Sequence, residues 1–149
     1  MVVHCGVHAG AKSIQLESLA YNNKFIRRDY ARKRLRSATV CLDKNGSCCE
    51  RICTKLNLND IVHDLNDKAE RPNTLVVSND VGNYLCGYIY LKSLDVNCDR
   101  SLFIHVPPIG KPFTSSEASS TIFEVIQKCV EQIEFQQDED TFEDCIGYV

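Results

Sequence analysis

The stretch "TLVVSNDVGNYLCGYIYLKSL", residues 74–94, decides how this chain folds. It opens with an apolar, β-branched run, Leu75-Val76-Val77, of the kind buried in a parallel sheet. Asn79-Asp80-Val81-Gly82 then reads as a turn. A helix-like stretch follows to about Leu94, with Leu85, Tyr88, Ile89 and Leu91 as its inward candidates and Cys86 in its first turn. Strand, glycine turn and helix mouth form the unit at which open α/β sheets collect their working residues. A thiol at that mouth is either one more buried small residue or a nucleophile.

The same alternation extends outward. Val2-Val3-His4-Cys5-Gly6-Val7 reads as a strand buried on both faces. Residues 8–53 are polar, with turn signals at Asn22-Asn23 and Asn45-Gly46, and predict a long irregular excursion with one or two short strands. A helix runs from a cap at Asn57 or Asn59 to about Ala69, with Ile61, Val62 and Leu65 as its apolar stripe. Leu102-Phe103-Ile104-His105-Val106 is a further strand, stopped by Pro107-Pro108. Thr114-Ser115-Ser116-Glu117 is a capping box, and Ile122, Val125, Ile126, Cys129, Val130 and Ile133 come after it at helical spacing. Strands alternating with helices predict an α/β fold with parallel strands.

With 149 residues, 44% hydrophobic and 25% charged, the chain suits a single core. We expect one α/β domain over residues 1–137 and an acidic, disordered tail over 138–149. No apolar run is long enough to cross a membrane, and the first residues do not read as a signal peptide. The expectation is an intracellular, cytosolic protein whose nine cysteines are mostly reduced. A net charge of −3 makes no general case for nucleic acid. The charge is uneven, however: "RRDYARKRLR" at 27–36 is densely basic, and no aromatic platform accompanies it, so it reads as a solvated face.

Two residues invite chemistry. Cys86 would need a helix N-terminus or an imidazole to favour its thiolate, since a free thiol titrates near about 8.5. In that setting Gly82 permits the sharp turn, Ser78 or Asp80 fastens it, and the Cys86 N–H faces a developing oxyanion. His105, at the close of a strand and braced by two prolines, is placed to act as a base, although a strand histidine is also commonly a core residue. Glu17, in a polar region, reads from the sequence alone as a solvated carboxylate.

The motif "SNDVGNYLC", with "HVPPIGKPF" nineteen positions after Cys86, resembles pyroglutamyl-peptidase I, an intracellular cysteine peptidase family. "VVHCGVHAGAKSIQLE" is similar to that family's strand and loop ending on its catalytic glutamate. The resemblance implies a three-layer α/β/α sandwich with a mostly parallel central sheet. It also implies removal of N-terminal pyroglutamate by Cys86 as nucleophile, His105 as general base and acid, and Glu17 as the carboxylate that orients the imidazole. Tyr84 matches the aromatic that flanks the lactam ring. No cofactor or metal is implied, the partners are pyroglutamyl peptides, and neither membrane nor nucleic acid enters. Val81 and Asn83 depart from the family's turn, and no counterpart of its N-terminal segment, with a Gly-Phe-x-Pro-Phe turn, is found in the sequence. The alternative is an inactive relative serving as a binding or regulatory module.

Cys41, Cys48, Cys49 and Cys53 lack the paired spacing of zinc knuckles, and adjacent Cys48 and Cys49 suit one ion poorly, so free thiols are expected. His4, Cys5 and His8 are no better a metal set, because neighbours in a strand face opposite sides.

Overall fold

The computed structural model describes residues 1–22, 25–34, 39–40, 50–69 and 74–146, with side chains described through Gln136. Strands β1 (Val2–Val7), β2 (Ile14–Glu17), β3 (Leu19–Tyr21) and β4 (Arg51–Cys53) come first. Helix α1 (Leu58–Asn66), β5 (Leu75–Ser78), α2 (Leu85–Val96), β6 (Ser101–Val106) and α3 (Ser115–Ile146) complete the order. The main sheet has the order β1-β6-β2-β5, and β3 pairs with β4 in a separate antiparallel ribbon. The β1–β6 and β2–β5 pairs are parallel, whereas β2 and β6 run antiparallel. The sheet is thus mostly parallel with one reversed junction.

Helices cover both faces. On one, Leu58, Ile61 and Leu65 of α1 and Val125 and Cys129 of α3 pack on Ile14, Leu16, Leu102 and Ile104. On the other, Tyr90, Leu91 and Leu94 of α2 pack on Phe103 and Ala20. Strand alternation explains the division: Leu102 and Ile104 point one way, Phe103 and His105 the other.

Local signals behave as their chemistry requires. The Asn57 side chain caps α1 by accepting from the Asp60 N–H. Thr114 and Glu117 close the capping box reciprocally, at 2.7 Å and 3.2 Å from backbone N–H to side-chain oxygen. The turn before α2 is fastened by the Asp80 N–H donating to Ser78 Oγ and the Gly82 N–H to Asp80 Oδ1. Gly82 has φ +79°, a backbone conformation that side chains resist.

Three expectations need correcting. Strand β1 is an edge strand and half exposed, because it has a hydrogen-bonded neighbour on one side only, with Val2 and Val7 open to solvent. The 8–53 region contributes β2 to the centre of the main sheet, besides β3 and β4, so it is less irregular than its polarity implies. Helix α2 is rotated relative to the expected stripe: Gly87, Tyr90, Leu91 and Leu94 are buried, while Leu85 and Ile89 are exposed. Two contacts fix that rotation. The Tyr90 hydroxyl donates to the Glu17 backbone carbonyl at 2.7 Å. Gly87 lies so close to the Gly82 carbonyl that a Cβ would collide with it. The backbone of α3 continues to Ile146, through most of the acidic stretch.

Candidate active site

The sheet face beneath α2 carries the candidate residues. His4, Gly6 and His8 succeed one another at two-residue spacing along β1 and its end, and so share that face. In register, His4 lies beside Phe103 and Gly6 beside His105. On the far side of β6, Glu17 is opposite Phe103 and Gln15 opposite His105.

His105 Nδ1 stands 2.7 Å from Glu17 Oε1, and both side chains are buried, the carboxyl completely. Glu17 is therefore no solvated carboxylate: β2 carries it into the centre of the sheet. Its second oxygen, Oε2, is buried and has no hydrogen-bond partner among the described residues. Burying a carboxyl with one unsatisfied oxygen carries a desolvation cost that the single contact with the ring offsets only in part. With Nδ1–H donated to the carboxylate, the neutral ring keeps its lone pair on Nε2. The His105 ring is packed against Phe103, with ring centroids 4.8 Å apart, and lies 5.5 Å from the ring of His8.

Cys86 is half-buried and packs against the cluster formed by Phe103, Tyr90 and Val81. Its sulfur occupies a notch in the sheet. A Cβ on Gly6 would stand 3.3 Å from Cys86 Sγ and 2.9 Å from the Phe103 ring. Gly6 neighbours His105 in register, so thiol and imidazole meet the same patch of sheet from α2 and β6. No hydrogen bond links Sγ to the ring among the described contacts. Burial pushes the thiol above its ordinary value; its own backbone N–H pulls it down, and the Glu17 charge raises it again. Desolvation outweighs the help expected from the helix mouth, so the balance at the thiol opposes the thiolate.

The site also departs from a common carboxyl edge. Because β2 and β6 are antiparallel, Glu17 reaches His105 from a strand running the other way, and the grouping lies on the sheet face instead of along one rim. His4 anchors the opposite end of α2 to β1 through Nε2 and Ser93 Oγ, 2.7 Å apart. His8 Nδ1 lies 2.9 Å from Gln15 Oε1.

Tyr84 precedes the thiol as the N-cap residue of α2 and is partly exposed. It lines a cavity of about 260 Å³ together with Phe25, Leu85 and Tyr88. No sequence signal joins Phe25 to this group, since only the fold of the 25–34 excursion brings it to α2. Gly6 was legible in retrospect: a glycine between two histidines in an apolar strand marks a close approach. The described residues contain no group of three or more side chains suited to a metal ion. Of the cysteine cluster, Cys41, Cys48 and Cys49 lie outside the described residues, and Cys53 is an exposed free thiol. No described helix is long and apolar enough to cross a membrane.

Fold and side chains together define a mostly parallel α/β protein with a thiol, an imidazole and a buried carboxyl on one sheet face. No protein-family model matches the chain. Pyroglutamyl-peptidase 1 of Homo sapiens is 29% identical over 140 residues, covering 90% of this chain and 62% of that protein. Pyroglutamyl-peptidase 1-like protein of Homo sapiens is 26% identical over 139 residues, covering 89% and 64%. Among solved structures, pyrrolidone carboxyl peptidase from Pyrococcus furiosus superposes with a TM-score of 0.72 at 21% identity, over 88% of this chain and 69% of that one. The chain is similar to pyroglutamyl-peptidase 1 over nine tenths of its length, and it spans a little under two thirds of the length of the curated relatives it matches.

Proposed function

We propose that this chain is a cysteine-type omega-peptidase that removes N-terminal pyroglutamate from peptides. The observation that carries the reading is the buried His105–Glu17 contact at 2.7 Å, on the same face as the Gly6 notch that holds the Cys86 sulfur. In this scheme Glu17 holds the His105 ring with Nε2 free to accept a proton. Cys86 gives up its proton to that nitrogen as the sulfur attacks the carbonyl joining pyroglutamate to the next residue. The Cys86 N–H, in the first turn of α2, stabilises the resulting oxyanion. The imidazolium then protonates the leaving amine, and a water activated by the neutral ring hydrolyses the thioester. In this scheme the proton transfer belongs to the substrate-bound state, since burial raises the thiol in the free chain. Tyr84 flanks the lactam ring, whose flat, uncharged surface suits an aromatic neighbour. Residues 1–137 act as the peptidase unit, with 138–149 outside it, and a reducing cytosolic setting keeps the thiols free.

Turnover of a fluorogenic pyroglutamyl amide by the folded wild-type chain, abolished in Cys86→Ser, tests the proposal. Absence of turnover by well-folded protein overturns it.

A second reading, a non-catalytic module of the same family, draws on the missing Sγ–imidazole hydrogen bond among the described contacts and the raised thiol. It predicts that pyroglutamyl peptides bind to the wild-type chain without being cleaved.

A further inference from the structure

The basic stretch at 27–36 has no role in the catalytic scheme, yet the fold brings part of it to the mouth of α2. Arg27, Lys33 and Arg34 line the same cavity as Tyr84 and Leu85, the two residues immediately before Cys86. The cavity has an aromatic wall, in which Phe25 and Tyr88 meet edge to face with ring centroids 5.8 Å apart. Its rim is cationic. Among the described residues, none of Arg27, Lys33 and Arg34 has an ion-pair partner. One carboxylate, Asp29, also lines the cavity, and its Oδ1 is engaged by the Lys33 backbone N–H at 2.7 Å. A second link, from Arg28 Nη1 to the Arg32 carbonyl, helps hold the turn that presents these side chains.

We infer that this cavity selects peptides in which an acidic residue comes directly after the pyroglutamyl group, with the cationic rim formed by Arg27, Lys33 and Arg34 receiving the carboxylate. The inference rests on the pyroglutamyl reading and extends it from the ring to the leaving side of the scissile bond. The physics is charge complementarity at short range. Three cations against one carboxylate, set over apolar rings, attract an anionic side chain and repel a cationic one, and added salt weakens both effects. A bare phosphate or nucleic-acid site would need no aromatic wall beside the mouth of the helix that carries Cys86. Here the rings give the neutral part of the ligand a surface, and the cations read the charge of the adjoining side chain.

The test measures binding and turnover separately. Cys86→Ser protein is titrated with pyroglutamyl-glutamyl amide and with pyroglutamyl-lysyl amide at low and at physiological salt. The acidic peptide should bind about tenfold more tightly at low salt, with the gap narrowing as salt rises. In Lys33→Glu/Arg34→Glu, checked for native circular dichroism, the preference should reverse. Equal affinities, a preference insensitive to the double charge reversal, or failure of folded protein to bind either peptide overturns the inference. So does tighter binding of an oligonucleotide that displaces the acidic peptide. Turnover by the wild-type chain without a charge preference sinks this inference alone. Charge-selective binding without turnover upholds it and sinks the catalytic scheme instead.

Discussion

His105 and Glu17 come from antiparallel neighbouring strands, yet their side chains meet at 2.7 Å in the interior while the second carboxyl oxygen of Glu17 has no hydrogen-bond partner among the described residues. A contact of that kind does little for stability alone. Two apolar side chains of similar volume would fill the space without the desolvation cost of a buried ionisable pair. The arrangement suits the proposed scheme, in which the ring accepts and returns a proton in place.

The two ends of this contact respond differently to substitution. Glu17→Gln keeps the shape and removes the charge, so unfolding free energy in urea should change by no more than about 1 kcal/mol, while kcat/KM falls ~10³-fold. His105→Ala leaves the carboxyl buried and unpaired, and should cost about 3–5 kcal/mol in the same denaturation experiment. Equal losses of stability in the two variants would mean that the pair is held for packing.

Thiol reactivity carries a sign that can be measured. Burial and the Glu17 charge both raise the Cys86 thiol, and the backbone N–H only partly offsets them. The rate of Cys86 alkylation, tracked by peptide mass spectrometry, should therefore rise with a midpoint above the ordinary thiol value. Glu17→Gln should move that midpoint down, because it removes a negative charge that opposes the thiolate. A midpoint below neutrality in substrate-free protein would indicate a preformed thiolate–imidazolium pair and contradict the raised thiol.

Gly6 makes the notch in which the sulfur sits. In Gly6→Ala the new methyl would stand 2.9 Å from the Phe103 ring and 3.3 Å from the thiol, so one or both must move. Overpacking of this kind typically costs about 1–3 kcal/mol. The expected outcome is a lowered melting temperature together with a kcat loss much larger than any change in KM, since the displaced group is the proposed nucleophile. A variant with unaltered kcat would show that the sulfur's present position is not the working one.

Much of this architecture is legible in the chain itself, and the reasons are local. Thr114 and Glu117 cap α3 through contacts three residues apart, and Ser78, Asp80 and Gly82 close their turn within five residues. The position of β1 at the edge could not be read, because a Val-rich run looks alike at an edge and in a centre. The burial of Glu17 was hidden for a related reason: "IQLE" alternates weakly, and only pairing with both β5 and β6 turns it into a central strand. The rotation of α2 depends on Tyr90 finding a carbonyl 73 residues away, which no periodicity reports. The motifs around Cys86 and His105 carry the resemblance, which also implies the pairing of His105 with Glu17, whereas the depth at which that pair is buried and the Gly6 notch needed the fold.

The proposed scheme requires Cys86, His105 and Glu17 to act as a single cooperative grouping, and covalent capture tests that most directly. A pyroglutamyl chloromethyl ketone should form one thioether, located by mass spectrometry on Cys86, with protection by a pyroglutamyl peptide and, at saturating reagent, where proton transfer to the ring in the bound state and not the free thiol's titration sets the rate, strongly slowed labelling in Glu17→Gln and His105→Gln. Labelling spread equally over the exposed thiols Cys5 and Cys53, or labelling of Cys86 at the same rate in both variants, would contradict it.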